Sequence, residues 1–317
     1  MTSARRCAAC ASSTRRRAPS CGAGSTPRAR RCGTSSSTSR GPAAAEPVLV
    51  PLLERSDGTV LPLPPGLARR YGGELRFPPA DRPWVFANFV TTIDGLVSFA
   101  LPGRSQASLV SLGHPADRFI LALLRACADA VIVGAGTLRE ERKALWTAEE
   151  VVPELASDLA SLRAALGKPP HPLLVFVTAS GNVDLRLPVF ATGEPVLVIT
   201  TTEGSARLEK PPAGVDVQAL ERAPRAREIV DLVAQQTKGR LLLTEGGPAV
   251  LGQFLRDRML DELFLTLAPQ LAGRSAEERR LGLVEGIAFD PDDAPRTELL
   301  SVRRADDHLF FRYRIRR

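Results

Sequence analysis

Residues 240–255 read RLLLTEGGPAVLGQFL: an apolar run ends in Thr-Glu-Gly-Gly-Pro, and an amphipathic run begins at once. Leu241–Leu243 has the length and branching of a strand buried on both faces. Pro248–Arg258 repeats its apolar residues (Val250, Leu251, Phe254, Leu255) at helical spacing, with a proline at the first helical position, where no N–H partner is lost. Gly246 and Gly247 therefore sit where a buried strand turns into a helix. Such a junction is either a tight corner or a place where backbone N–H groups approach an anion at a helix N-terminus.

Working outward, the same grammar recurs. Short apolar runs occur at Trp84–Val90, Ala130–Val133, Leu173–Val177, Val196–Ile199 and Leu263–Leu267, mostly closed by Gly, Thr or Pro. Helix-period segments lie between several of them, at His114–Cys127 and Pro224–Thr237. Alternating strand and helix predicts an α/β domain with a largely parallel sheet. Leu299–Arg303 and His308–Ile315 flank an Ala-Asp-Asp turn and predict a closing antiparallel hairpin, which makes the sheet mixed. Residues 146–166 read as a helical surface insertion. Pro47–Pro83, rich in proline and glycine, reads as an extended arm with little regular structure.

The termini of the 317-residue chain are unlike each other. Residues 1–45 hold nine arginines, four of the five cysteines and no acidic residue. Without them 33 basic residues face 35 acidic ones, so the net charge of +7 belongs to the tail and not to the body. Such a composition cannot bury enough apolar surface to offset chain entropy, and disorder is expected. An organelle transit segment shares the signature, and Cys7, Cys10, Cys21 and Cys32 could supply zinc ligands; the spacing of the second pair argues against a metal module, and no metal site is expected. The tail is set apart from the fold as a nonfunctional extension or a misassigned start. Nothing approaches the roughly 20 apolar residues of a membrane-spanning helix, and the single cysteine of the body, Cys127, fits a cytoplasmic protein.

Three strand ends could carry chemistry. Val131-Ile-Val-Gly134-Ala-Gly136-Thr137-Leu-Arg139 starts like a dinucleotide fingerprint but has Arg139 at the third glycine position; its turn can still present N–H groups and a hydroxyl to a phosphate. Glu245, beside Gly246 and Gly247, would repel a phosphate and is expected to accept hydrogen bonds from loop backbone or a ribose hydroxyl. Asp94, in Asn88-Phe-Val-Thr-Thr-Ile-Asp94-Gly95, is either a turn residue or an acceptor for a planar heterocycle.

Taken in order, Arg82-Pro-Trp-Val-Phe-Ala-Asn-Phe-Val-Thr-Thr-Ile-Asp-Gly95, Gly103-Arg104-Ser105, Leu124-Arg125, Ala128–Thr137, Thr244–Pro248 and Leu260-Asp-Glu-Leu-Phe-Leu-Thr-Leu-Ala-Pro269 closely resemble the riboflavin-biosynthesis pyrimidine reductase family, the RibD C-terminal, dihydrofolate reductase-like family. The resemblance covers residues 81–317. It implies a dihydrofolate reductase-like three-layer fold, NADPH as hydride donor, a homodimer, and reduction of a pyrimidine ribosylamine phosphate at its open-chain ribose imine. Carried over, it places the cofactor against Gly134, Gly136, Thr137, Glu245, Gly246 and Gly247, with Thr178 and Thr200 toward the adenosine and Arg207 a candidate for the 2′-phosphate. Asp94 becomes the catalytic acid of the substrate end, with Asn88, Arg104, Ser105 and Arg139 as further substrate-binding residues. Two stretches depart from the family pattern, Gln106–Gly113 and the run after Thr137, and both fall on the substrate side. They leave room for a second substrate, a pteridine or another planar heterocycle. A nucleic-acid or acidic-partner binder acting through the tail is the remaining reading, disfavoured because the body has no basic face with interleaved aromatics.

Overall fold

The computed structural model describes residues 48–79 and 81–316; the expectations for residues 1–45 lie outside them. Strands occupy β1 (Val50–Glu54), β2 (Thr59–Val60), β3 (Arg76–Phe77), β4 (Trp84–Thr91), β5 (Ala130–Gly134), β6 (Leu173–Val177), β7 (Val196–Thr201), β8 (Val215–Leu220), β9 (Leu241–Thr244), β10 (Glu262–Leu267), β11 (Thr297–Ala305) and β12 (His308–Ile315). Ten of them form one sheet in the order β1-β11-β12-β10-β4-β9-β5-β6-β7-β8, while β2 and β3 pair apart. From β10 to β8 all neighbours are parallel. The hairpin of β11 and β12 then joins β10 antiparallel, as its alternation predicts.

Adjacent residues of the central strands serve opposite layers, which is why these strands read as continuous apolar runs. Val131 and Val133 pack with helix Pro115–Cys127, whereas Ala130 and Ile132 pack with helices Ala226–Thr237 and Gly247–Arg256. The result is a three-layer mixed α/β fold. Strand β8 has no counterpart in the sequence reading: at the sheet edge it alternates buried and exposed residues, and its polar members hide it. At the opposite ends of β4 and β10, Asp261 receives Arg82 through two bonds (2.6 and 3.0 Å) and the backbone N–H of Val85 (2.8 Å), pinning both strand starts.

Two expectations are corrected. The arm is structured. Strand β1 lies on β11, with a register shift at Pro51–Leu53; proline is tolerated on an edge strand because no neighbour needs its N–H. Helix Pro65–Tyr71 ends on Gly72 in the left-handed conformation (φ 75°) and buries Leu67 and Tyr71 against the main core. Arg303 clasps the arm, donating to Glu54 (2.6 Å) and Tyr71 O (2.9 Å) with its guanidinium 3.9 Å from the Tyr71 ring centroid. The second correction concerns 146–166. It is helical, at Ala148–Val151 and Ala156–Ala165, but it is no surface insertion: Trp146, Leu155, Leu159 and Leu162 are core residues. Arg163, 3% exposed, donates to the carbonyls of Ala126, Ala128 and Pro169. It thereby satisfies acceptors that helix Pro115–Cys127 leaves without partners.

Candidate active site

Strands β5 and β9 are neighbours, with Ile132 opposite Thr244, and Glu245 N–H donates to Ile132 O at 3.0 Å. Their two glycine corners therefore meet. A methyl group added at Gly134 would lie 3.0 Å from Gly246 O and 2.9 Å from Val250 Cγ2. One added at Gly246 would lie 3.0 Å from Gly134 N and 3.2 Å from Ile132 O. One added at Gly247, whose φ is +67°, would meet the Thr137 hydroxyl at 2.8 Å. These glycines answer the question of the opening stretch in an unexpected way: they let the two loops approach each other. Gly136 differs, because the position of its missing Cβ is open except for Arg139 Nη2 at 3.9 Å.

The Glu245 carboxylate accepts from a side chain and not from the loop backbone expected of it. Its carboxylate is turned down to Arg125, which donates Nε to Oε1 at 2.8 Å and Nη2 to Oε2 at 2.7 Å. Arg125 is 5% exposed and also donates to Thr147 O at 3.1 Å. The bidentate pair keeps negative charge away from the corner and fixes the loop to helix Pro115–Cys127. Apart from Asp117 in its first turn, the other inward residues of the helix that carries Arg125 are apolar; a lone cation on such a stripe is the signal that could have marked it.

On the far side of β5, Thr178 follows β6 and its N–H donates to Ile199 O at 3.0 Å. Thr200 is fully buried with its hydroxyl unpartnered, in the place a side chain at Gly204 would need. Arg139 leans this way, donating to Asn182 O at 3.4 Å, so the structure does not bring it to Arg104 and Ser105. Arg207 lies in the same region, donating to Ser180 O at 3.4 Å.

At the end of β4, Asp94 is exposed and accepts from Thr92 Oγ1 (2.6 Å), Ala272 N (3.0 Å) and Gly273 N (2.7 Å). The Thr92 hydroxyl and these backbone donors lower its pKa to about 2. An acid held in that state is a poor proton donor near neutral pH, and Asp94 stands here as the anchor of the 270–273 loop. Residues 281–285 tie the Asp94–Gly95 turn to the glycine corner: Leu283 N donates to Gly95 O (3.2 Å) and Glu285 N to Pro248 O (3.1 Å). Arg104 is exposed, while Ser105 caps helix Gln106–Val110 through Ser108 N at 3.3 Å. The departure at Gln106–Gly113 has a structural use: buried Gln106 bonds Ser98 Oγ, Phe99 N, Leu101 O and Arg104 O and so shapes the loop. Asn88 lines a small cavity with Ile120, Phe264 and Thr266, and its Oδ1 is buried without a donor.

Comparisons with known proteins agree with the fold and with one family. The sequence model of the RibD C-terminal domain matches residues 83–310. The 2,5-diamino-6-ribosylamino-4(3H)-pyrimidinone 5′-phosphate reductase of Aquifex aeolicus is 28% identical over 198 residues, 61% of this chain and 80% of that protein. Among solved structures, the deaminase/5-amino-6-(5-phosphoribosylamino)uracil reductase of Thermotoga maritima superposes with a TM-score of 0.56 at 22% identity, over 74% of this chain and 57% of that one. A pyrimidine reductase-like protein of Corynebacterium diphtheriae gives the same TM-score at 24% identity, over 74% of this chain and 92% of that one. This chain thus spans little more than half of the Thermotoga protein.

Proposed function

The chain belongs to the RibD C-terminal domain family, and on that premise we propose that it is an NADPH-dependent reductase of a pyrimidine ribosylamine phosphate in riboflavin biosynthesis. The observation that carries the reading is the meeting of the Gly134–Thr137 and Glu245–Gly247 corners. The residues present fit a dinucleotide. Gly136 offers an uncovered backbone, Thr137 a hydroxyl, and the start of helix Gly247–Arg256 N–H groups without intrahelical acceptors. The loops after β6 and β7, with Thr178 and Arg207, lie beyond them on the adenosine side. A nicotinamide held here would supply a hydride to the imine carbon of the opened ribose, with the imine nitrogen taking a proton from water. The work of the protein is to fix distance and orientation and to withhold negative charge from the diphosphate, which is what the Arg125–Glu245 pair does. A homodimer in the cytoplasm completes the proposal, and sedimentation checks its size.

The test has two parts. NADPH at a hundredfold excess over its Kd should stabilise the protein by about 2.7 kcal/mol in thermal unfolding. The protein should also oxidise NADPH only when a ribosylaminopyrimidine phosphate is present. Absence of both responses sinks the reading.

A further inference from the structure

Helix Gly247–Arg256 begins at the glycine corner and ends about 15 Å away, where a cavity of about 540 Å³ opens that the proposed function leaves unused. Its apolar wall is made by Leu255, Leu260, Ile287, Phe289 and Ile315. Leu260 is a core residue, and Leu255 and Ile315 pack on the same core. Ile287 and Phe289 join no core cluster, and the half-buried Phe289 ring has no aromatic partner among the described residues. Gly252 fixes the chain that carries them, because a Cβ there would collide with Glu285 O; the backbone lies directly on the helix.

The charged residues of the cavity are a second observation. Arg316 donates its N–H to Arg296 O at 2.8 Å, one step beyond the Thr297–Ile315 pair, so two arginines stand opposite each other at neighbouring strand ends. Like charges so placed repel. Both line the cavity, as does Arg258 in the left-handed turn after the helix (φ 54°). Arg256 pairs with Asp257 at 3.1 Å, but among the described residues Arg258, Arg296 and Arg316 have no side-chain partner. The acids Asp290, Asp292 and Asp293 come from one exposed turn, closed by Asp293 N and Ala294 N on Asp290 O (3.0 and 2.9 Å), and they pair with none of these arginines. Three unsatisfied cations, three free carboxylates and an unstacked ring thus share one cavity of small-molecule size.

We infer that this cavity is a second ligand site, separate from the glycine corner, and that it takes a mononucleotide. The phosphate lies between Arg296 and Arg316, where it removes their repulsion and meets two guanidinium forks, with Arg258 beside them. The base stacks on Phe289 over the aliphatic wall. The sugar hydroxyls donate to the carboxylates of the 290–293 turn, which can only accept. The inference does not depend on the proposed function.

The experiment follows amide hydrogen exchange of the full chain with AMP as the probe, in the presence of excess NADP+ to occupy the glycine corner. AMP should slow exchange at residues 287–296 and 313–316. Adenosine, which lacks the phosphate, and inorganic phosphate, which lacks the ring, should each bind at least about tenfold more weakly. The double variant Arg296→Gln with Arg316→Gln should weaken AMP about 30-fold while its thermal response to NADPH stays that of the wild type. Phe289→Ala should weaken AMP about tenfold and stands in if the double variant does not fold. Exchange unchanged at 287–296, or slowed only at 134–137 and 245–247, overturns the inference. So does inorganic phosphate binding as tightly as AMP, or AMP affinity that is the same in the variants and the wild type. Each of these results leaves the reductase reading as it stands, since that reading is tested by NADPH oxidation.

Discussion

The two ends of the proposed site are built on opposite principles. At the glycine corner the important feature is what is missing: Gly134 and Gly246 approach so closely that either Cβ would press on the other's backbone. At the far end the important features are polar side chains, and most are already engaged with their own surroundings. Asp94 holds residues 272 and 273, Ser105 caps a helix, and Gln106 shapes a loop. A site can be rigid where it grips a large common group and adjustable where it selects among rings. The difference teaches that a motif residue is best judged by which of its hydrogen bonds remain open.

The largest effect that could break this contrast is at Arg125. Arg125→Met leaves the Glu245 carboxylate enclosed without its partner and should cost about 4 kcal/mol in urea unfolding. The double variant Arg125→Met with Glu245→Met should recover most of that loss, because the uncompensated charge is gone. Recovery of stability without recovery of NADPH binding would show that the pair positions the loop as well as supporting it. Equal stability of the single variant and the wild type would remove the pair from the account.

Next in size are the glycines. Gly246→Ala must displace Gly134, Val250 or the Ile132 carbonyl and should cost about 2 kcal/mol, with the thermal response to NADPH lost. Gly136→Ala meets open space inside helix Ala135–Glu140 and should be neutral or stabilising by about 0.5 kcal/mol. It should still weaken NADPH about tenfold if the exposed backbone there meets the diphosphate. Identical behaviour of the two variants would erase the distinction between glycines for packing and glycines for a ligand.

These cases show what could be read from the chain alone. Six of the seven parallel strands, three helices and the hairpin follow from local periodicity, while β8 does not, and the meeting of Gly134 with Gly246 follows once β5 and β9 are neighbours. The arm hid its strand and helix behind proline and glycine, whose penalties vanish at a sheet edge and at a left-handed cap. What Arg125 and Arg163 bond could not be read, because their partners, a loop carboxylate and helix-end carbonyls, lie far away in sequence. Asp94 was legible as a residue of the site loop, but its three donors come from Thr92 and from a loop some 180 positions on, which no local motif encodes.

A smaller effect sharpens the substrate end. The Asp94 pKa is depressed to about 2, below its value in an unfolded chain. Its contribution to stability is therefore fully present above about pH 4 and is lost as pH falls through 2. Asp94→Asn should flatten the acid limb between those values in urea titrations at stepped pH, with little change at pH 7 in the melting response to NADPH. A parallel shift of the whole curve, with no change of slope, would mean that the loop does not depend on the ionised carboxylate.

The smallest expected effect is at Thr200, and its smallness is the point. The resemblance places this threonine beside the adenosine, yet its side chain is fully enclosed and its hydroxyl has no partner. Thr200→Val keeps the shape and removes the orphan hydroxyl, so stability should hold or rise by about 0.5 kcal/mol. NADPH affinity should stay within twofold, whereas Thr178→Val, at the neighbouring strand end, should reduce it. A marked loss of affinity in the Thr200 variant would show that the loop Thr202–Ser205 opens to admit the nucleotide. The adenosine side would then resemble the adjustable end of the site more than its rigid corner.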